Sequence, residues 1–486
     1  MRFISTRGEE NSISSLQAII NGISKDGGLY VPEKFPKLYE KIKNKNNLSY
    51  EELSFEVIKE FFTDFTEDEI KTAIDSAYKN RFKVVENHGF LELYHGPTSA
   101  FKDAALLFLP QIMKFAKVKE KINDDIVILA ATSGDTGKAA LEGFSNLEGF
   151  KVMVYYPKGK VSAVQEMQMV TQKANNVRVL GIRGNFDQAQ RGVKEIFGDN
   201  EFKEDLLSRG IRLSSANSIN IGRLIPQIIY YYYGYFQLVN KQKIKLGDKI
   251  NVVVPTGNFG NILAAYYARE MGLPIAKFIC ASNENKVLSD FFNEGVYDKR
   301  RELVVTESPS MDILVSSNLE RLLFEASNRN SNEIEKLMDD LNTKGLYVIN
   351  DEMKEFLKDF YGNHANTEEV YEAIQSLYEK KGYLIDTHTA VANVVLNKYI
   401  KATNDTTPYL IASTASPYKF PRSITNALGI DTENNNDFEV IEKLNGYCMV
   451  DIPNNLKGLN NNKVLHDYTC DVSDMRKVLE KFLGED

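Results

Sequence analysis

Lys102 stands in the segment His95-Gly96-Pro97-Thr98-Ser99-Ala100-Phe101-Lys102-Asp103, a lone amine among turn formers and an aromatic ring, directly ahead of the apolar run from Ala104 to Leu109. An amine that attacks an aldehyde needs a neutral fraction near pH 7, and partial burial supplies it by disfavouring the charged form. The segment suits a Schiff-base lysine; a surface lysine at a helix start is the plain alternative.

A second candidate is Val252-Val253-Val254-Pro255-Thr256-Gly257-Asn258-Phe259-Gly260-Asn261, followed by the helix-forming stretch from Ile262 to Glu270. A β-branched run, then closely spaced glycines, then a helix former predict strand, tight loop and helix. Free N–H groups at such a helix start favour an anion. Gly257 and Gly260, on either side of Asn258 and Phe259, would let the backbone approach a phosphate. Thr256, Asn258 and Asn261 add side-chain donors. An ordinary strand-to-helix turn is the alternative.

In the third, the run from Ile126 to Ala131 breaks into Thr132-Ser133-Gly134-Asp135-Thr136-Gly137-Lys138. Lys138 invites comparison with a nucleotide P-loop, but Thr132 stands where that motif needs glycine and Ala139 where it needs a hydroxyl. The loop suits a smaller anion. An amino-acid carboxylate could be met by N–H groups around Gly134 and by the hydroxyls of Ser133 and Thr136; a plain turn is again the alternative.

Together these segments resemble the threonine synthase family of pyridoxal-phosphate enzymes, of fold type II and related to the tryptophan synthase β-like proteins. The resemblance rests on the lysine segment, Thr132 to Gly137 and Thr256 to Asn261, in the family's order. It extends to Ser5-Thr6-Arg7-Gly8 and Asp26-Gly27-Gly28-Leu29-Tyr30-Val31-Pro32 near the start. Later come Asn217-Ser218-Ile219-Asn220 with Arg223 and Gln227, Asp386-Thr387-His388-Thr389-Ala390-Val391-Ala392, and Ser413-Thr414-Ala415-Ser416-Pro417-Tyr418-Lys419-Phe420-Pro421. Two positions depart from the pattern: the family usually carries Pro where Thr387 stands and commonly His where Ser416 stands. Catalytic assistance at 416 is therefore not carried over.

The resemblance implies a carbon–oxygen lyase acting on phosphates in threonine biosynthesis. Its substrate would be O-phospho-L-homoserine, converted with water to threonine and phosphate, with no metal. Lys102 would hold pyridoxal 5'-phosphate and shuttle protons once displaced. The substrate phosphate falls to Arg223, whose planar fork binds phosphate oxygens in pairs, helped by Asn217 and Lys160, with Ser162 further behind. Arg223 as a structural ion-pair partner and Lys160 as a solvated loop residue are the alternatives. Thr414 would meet the pyridine nitrogen, Asp135 the ring hydroxyl, and Phe101 would orient the lysine or pack near the ring. His95 and His388 are expected to be hydrogen-bonded orienting groups, with a proton shuttle as the alternative. The competing readings are a serine or threonine dehydratase-type lyase and a non-catalytic relative that binds phosphorylated ligands.

These loops must be positioned by a larger frame. At 486 residues the chain exceeds one compact core, and 43% apolar residues suffice for globular packing. A net charge of −8 argues against a general nucleic-acid or membrane-surface binder, so the substrate's charge must be met locally. No protein partner is evident. Cys280, Cys448 and Cys470 share no metal-ligand spacing and favour a reducing, cytoplasmic setting. The tyrosine-rich stretch from Leu224 to Val239 is interrupted by Pro226, Gln227, Gly234 and Gln237 and predicts a buried helix.

Alternating strand-like and helical runs from Leu91 onward predict an α/β protein with mainly parallel sheets. The expected organisation is an N-terminal helical cap over 1–90, a first α/β domain over 91–240 carrying the lysine and substrate loop, and a second over 241–486 carrying the phosphate loop. The family's fold puts the cofactor in the cleft between them. The charged stretch 331–381 is expected to be a helical insertion without chemistry.

Overall fold

The strand Ile250–Pro255 is buried at every position, and Asp125–Ala131 is buried through its centre. Strands covered on both faces need no polar alternation, which is why these runs are continuously apolar. In the computed structural model, which describes all residues except 9, 10, 133, 449, 485 and 486, they become inner strands of two separate sheets.

The larger sheet has six strands in the order Phe360–His364, Ile275–Ser282, Ile250–Pro255, Tyr409–Ser413, Phe90–His95 and Lys83–Asn87. All neighbours are parallel except the last pair. The smaller has five parallel strands: Thr469–Asp471, Val177–Arg183, Phe150–Pro157, Asp125–Ala131 and Ile211–Ser214. The expected α/β class with mainly parallel sheets is what forms.

Three strands pair outside the unit expected for them, the first being Lys83–Asn87 of the expected cap, which pairs with Phe90–His95 in the larger sheet. Phe90–His95, at the head of the expected first domain, joins the larger sheet through Ile411↔Phe90 and Ser413↔Glu92. Thr469–Asp471, far into the expected second domain, extends the smaller sheet beside Gly181 and Arg183. Nor is the stretch 331–381 purely helical. Helices Ser331–Thr343 and Thr367–Lys381 bracket Phe360–His364, which forms an edge of the larger sheet.

The first 80 residues add the short antiparallel pair Phe3–Ser5 with Tyr30–Pro32 and the helices Tyr50–Phe61 and Glu67–Tyr78. The capping box at Thr66 forms: its hydroxyl accepts from the Glu69 N–H and the Glu69 carboxylate from the Thr66 N–H. These helices lean on Ile221–Asn240, the tyrosine-rich helix, through Tyr50, which meets the Tyr78 and Tyr233 rings edge-on at 5.3 and 5.5 Å. Four of the five tyrosines on this helix find a polar partner through the hydroxyl. Tyr230 donates to Asn261, Tyr232 to the Met271 carbonyl and Tyr235 to the Asp248 carbonyl. Among the described residues no helix is long and apolar enough to cross a membrane.

Candidate active site

A cavity of about 350 Å³ opens between the two sheets. Lys102 reaches it because the chain turns sharply after Phe90–His95. Ser99 adopts a left-handed conformation, Ala100 bridges Ala415, and the Phe101 N–H donates to the Thr414 carbonyl at 2.8 Å. The Lys102 side chain is 12% exposed, with Nζ 3.6 Å from Asp135 Oδ2 and 5.2 Å from the centre of the Phe101 ring. Burial lowers the Lys102 pKa most; Asp135 opposes the shift, and the cations Lys419 and Arg223 add to it. At Asp135 burial acts upward, but Lys419 and Lys102 overcome it and hold the carboxylate below its ordinary range.

The glycine loop forms the opposite wall. Thr256 spends both of its donors inside the sheet, the N–H on the Ala281 carbonyl and the hydroxyl on the Val254 carbonyl. It therefore anchors the loop rather than supplying a free donor. Phe259 is left-handed (φ 67°) where the helix Gly260–Glu270 begins, and its ring stacks at 6.0 Å on Phe292. Asn258 is exposed and its carbonyl accepts from Asn318. Asn261 is held by the Tyr230 and Tyr231 hydroxyls on its Oδ1, while its buried Nδ2 has no protein partner. A buried donor left without a partner is costly unless something else accepts from it. The loop, the helix start and the Asn261 amide together fit a phosphate.

On the remaining side, Thr132 explains the failed P-loop spacing. Its hydroxyl accepts from the N–H groups of Gly134 and Gly137, both at 2.9 Å, and so shapes the turn itself. Thr136 and Asp135 line the cavity; Gly134 does not, being backed against Gln165. Ser133 lies outside the described residues. Arg223 and Asn217 also line the cavity. Buried Arg223 donates from Nη1 to the Ala216 carbonyl at 2.6 Å, its Nε lacks a protein partner, and burial pulls its pKa down to about 10. Among the described residues no carboxylate pairs with it, which speaks against the ion-pair alternative.

Lys160 and Ser162 fall outside the cavity wall. Lys160 is exposed beyond the Gly159 turn. The Ser162 hydroxyl caps the helix Ala163–Val170, accepting from the Gln165 N–H at 3.1 Å. Thr414 lines the cavity; Ser416 does not, and caps a short turn. His388 lines the cavity with Nδ1 on Asp386 at 3.0 Å and Nε2 accepting from the Ser310 N–H at 3.2 Å, an orienting arrangement. His95 pairs with Glu92 at 2.6 Å outside the cavity.

Sequence reasoning missed three contributors: Lys419 behind Asp135, the wall formed by Pro309 to Ile313, and the face of helix Phe186–Gly198 that presents Gln190 and Lys194. Only Lys419 lay in a quoted motif, and nothing in that motif pointed at Asp135.

Two mainly parallel sheets facing one cavity, with a partly desolvated lysine on one side and a glycine loop that fits a phosphate on the other, are the architecture of the fold type II pyridoxal-phosphate proteins. The family model described as "Pyridoxal-phosphate dependent enzyme" matches residues 90–414, "Threonine synthase N terminus" 2–78 and "Threonine synthase, C-terminal" 389–463. The chain is 36% identical to threonine synthase of Schizosaccharomyces pombe, covering 90% of this chain and 91% of that protein. It is 39% identical to human threonine synthase-like 1 over 89% of this chain, and spans 60% of that relative's length. The structure of a pyridoxal-phosphate-bound threonine synthase from Brucella melitensis superposes with a TM-score of 0.87 at 33% identity, covering 99% of this chain and 98% of that one. The chain belongs to the threonine synthase family.

Proposed function

We propose that this protein is a threonine synthase that converts O-phospho-L-homoserine and water to L-threonine and phosphate, in the cytoplasm and without a metal. The residues that would hold pyridoxal phosphate are Lys102 through its amine, the segment Gly257 to Asn261 at the phosphate, Thr414 at the ring nitrogen and Asp135 at the ring hydroxyl. When bound, the cofactor supplies an electron sink that makes the substrate Cα–H acidic. Lys102 then acts as base and acid at Cα and Cβ, because burial and neighbouring cations favour its neutral form. Thr136 receives the substrate carboxylate, together with backbone N–H groups of its turn. Arg223 and Asn217 hold the phosphate that leaves from Cγ. Lys160 and Ser162 join them only if the smaller sheet closes on the larger. The three units over 1–90, 91–240 and 241–486 carry this arrangement in chain order, with Lys83–Asn87 and Phe90–His95 given to the last and Thr469–Asp471 to the second.

The observation that carries this reading is the second anion group. Beyond the glycine loop and the turn near Thr136, the cavity holds a buried guanidinium with an unspent N–H and no carboxylate partner. A lyase acting on serine or threonine has no use for it. Incubation with O-phospho-L-homoserine should release phosphate and threonine in equal amounts. Arg223→Ala should cut kcat/KM by at least about 100-fold, the loss of a charge-assisted contact of roughly 3 kcal/mol, while cofactor content is kept. Serine deamination without phosphate release would support the dehydratase reading instead.

A further inference from the structure

Lys419 is 0% exposed, a place an ammonium tolerates only when paired and hydrogen-bonded. Its Nζ lies 2.6 Å from Asp135 Oδ1 and donates to the Thr98 carbonyl at 3.0 Å. Gln165 donates to the same Asp135 oxygen at 2.9 Å. The other oxygen, Oδ2, is 3.6 Å from the Lys102 amine. One buried carboxylate is thus divided between two amines, and the residue that receives Lys419, Thr98, also donates through its N–H and hydroxyl to Asp103, the neighbour of Lys102.

We propose that Lys419 is a positioning residue for the reactive amine: by occupying one oxygen of Asp135 it lets that carboxylate orient Lys102 without holding it as a permanent ammonium. A carboxylate facing Lys102 alone would stabilise the charged amine, which is neither nucleophile nor base. A second cation on the same carboxylate offsets that attraction and leaves the geometry in place. The charged groups bearing on Lys102 are Asp135, Lys419 and Arg223. Asp103, Glu142 and Lys138 form the next layer around Lys419. This deepens the function proposed above and rests on Lys102 being its reactive amine.

The test is trace acetylation of the full chain, freed of cofactor by dialysis, across a pH series, with the Lys102 peptide quantified by mass. Lys419→Met should raise the labelling midpoint of Lys102 by about one pH unit, cutting its labelling at pH 7.5 about tenfold. Lys419→Arg should stay within about twofold of the parent. Circular dichroism and the urea midpoint establish that each variant is folded. Should Lys419→Met fail to fold, Lys419→Gln removes the same charge and should raise the Lys102 midpoint likewise, while Asp135→Asn tests the carboxylate's own hold on Lys102. With the carboxylate gone the two amines repel, so the Lys102 midpoint must fall. An unchanged midpoint in folded Lys419→Met or Lys419→Gln, or in Asp135→Asn, overturns the proposal. Failure of the functional reading would show separately, as borohydride fixing the cofactor elsewhere while the midpoint still answers to position 419.

Discussion

Replacing Gly257 by valine tests the proposed phosphate loop where it is tightest. A Cβ there would lie 2.6 Å from the Ser310 carbonyl oxygen and 3.4 Å from the Met311 Cα. Ordinary contact begins near 3.4 Å, so the backbone at 310 must retreat by roughly 0.8 Å. It is not free to do so. The Ser310 N–H is tied to His388, the Ser316 hydroxyl donates to the Gly257 carbonyl at 2.6 Å, and the Asn318 amide to the Asn258 carbonyl at 2.9 Å. Overpacking of this kind costs about 1–3 kcal/mol, which corresponds to a roughly 5- to 150-fold rise in the cofactor dissociation constant. Titrating the cofactor-free variant with pyridoxal phosphate by absorbance gives that constant, and urea unfolding shows how much of the cost falls on the fold. Gly260→Ala is the matched comparison. Its Cβ would meet only the ends of the Asn318 and Gln227 side chains, at 3.6 and 3.7 Å. It should leave stability intact and weaken binding only through the approach of the ligand. If Gly257→Val keeps both parental affinity and parental stability, the assignment of this loop as the phosphate site is wrong.

Borohydride reduction of the loaded protein should fix the cofactor on the Lys102 peptide, and Lys102→Ala should abolish both this adduct and the visible absorbance; an adduct on another lysine would remove the basis for the function. Burial raises the Asp103 pKa to about 6 against the restraining hydrogen bonds of Thr98, so the folded chain binds a proton there that the unfolded chain, near 3.8, does not. Its stabilising share is complete below pH 4 and is lost as pH rises to about 6, a change on the order of 1–3 kcal/mol. Urea midpoints at pH 4.5 and 7 should show that difference shrink in Asp103→Asn, and an equal difference in parent and variant would contradict it.

The chemistry was legible where consecutive residues carry it. The turn at Thr132 to Gly137 and the loop at Thr256 to Asn261 are each one strand end feeding one helix start, and local pattern suffices for such units. Contacts between distant segments were not legible. Lys419 meets Asp135 only because Phe101 docks on Thr414 and carries the 98–103 segment against the end of the strand Tyr409–Ser413. That Ser162, the weaker candidate for the substrate phosphate, also caps a helix was not legible either, because its hydroxyl is engaged by the Gln165 N–H only once that helix forms. The edge strand Thr469–Asp471 is three residues with only Cys470 buried, too short and too polar to stand out. Phe360–His364 was hidden inside a stretch of helices because Gly362, Asn363 and His364 are poor strand formers.

The pairing of Phe90–His95 with Tyr409–Ser413 has a consequence for biosynthesis. Roughly 310 residues separate the two strands, and at about 5–20 residues per second a ribosome needs on the order of 15–60 s to supply the partner. Throughout that interval the earlier strand can make its native hydrogen bonds on one edge only, and the smaller sheet in turn waits for residues beyond 468. Nascent chains of this protein therefore emerge with unsatisfied strand edges, the state in which chaperones are needed most. Slowing translation between residues 95 and 409 should lengthen that exposure and lower the soluble yield.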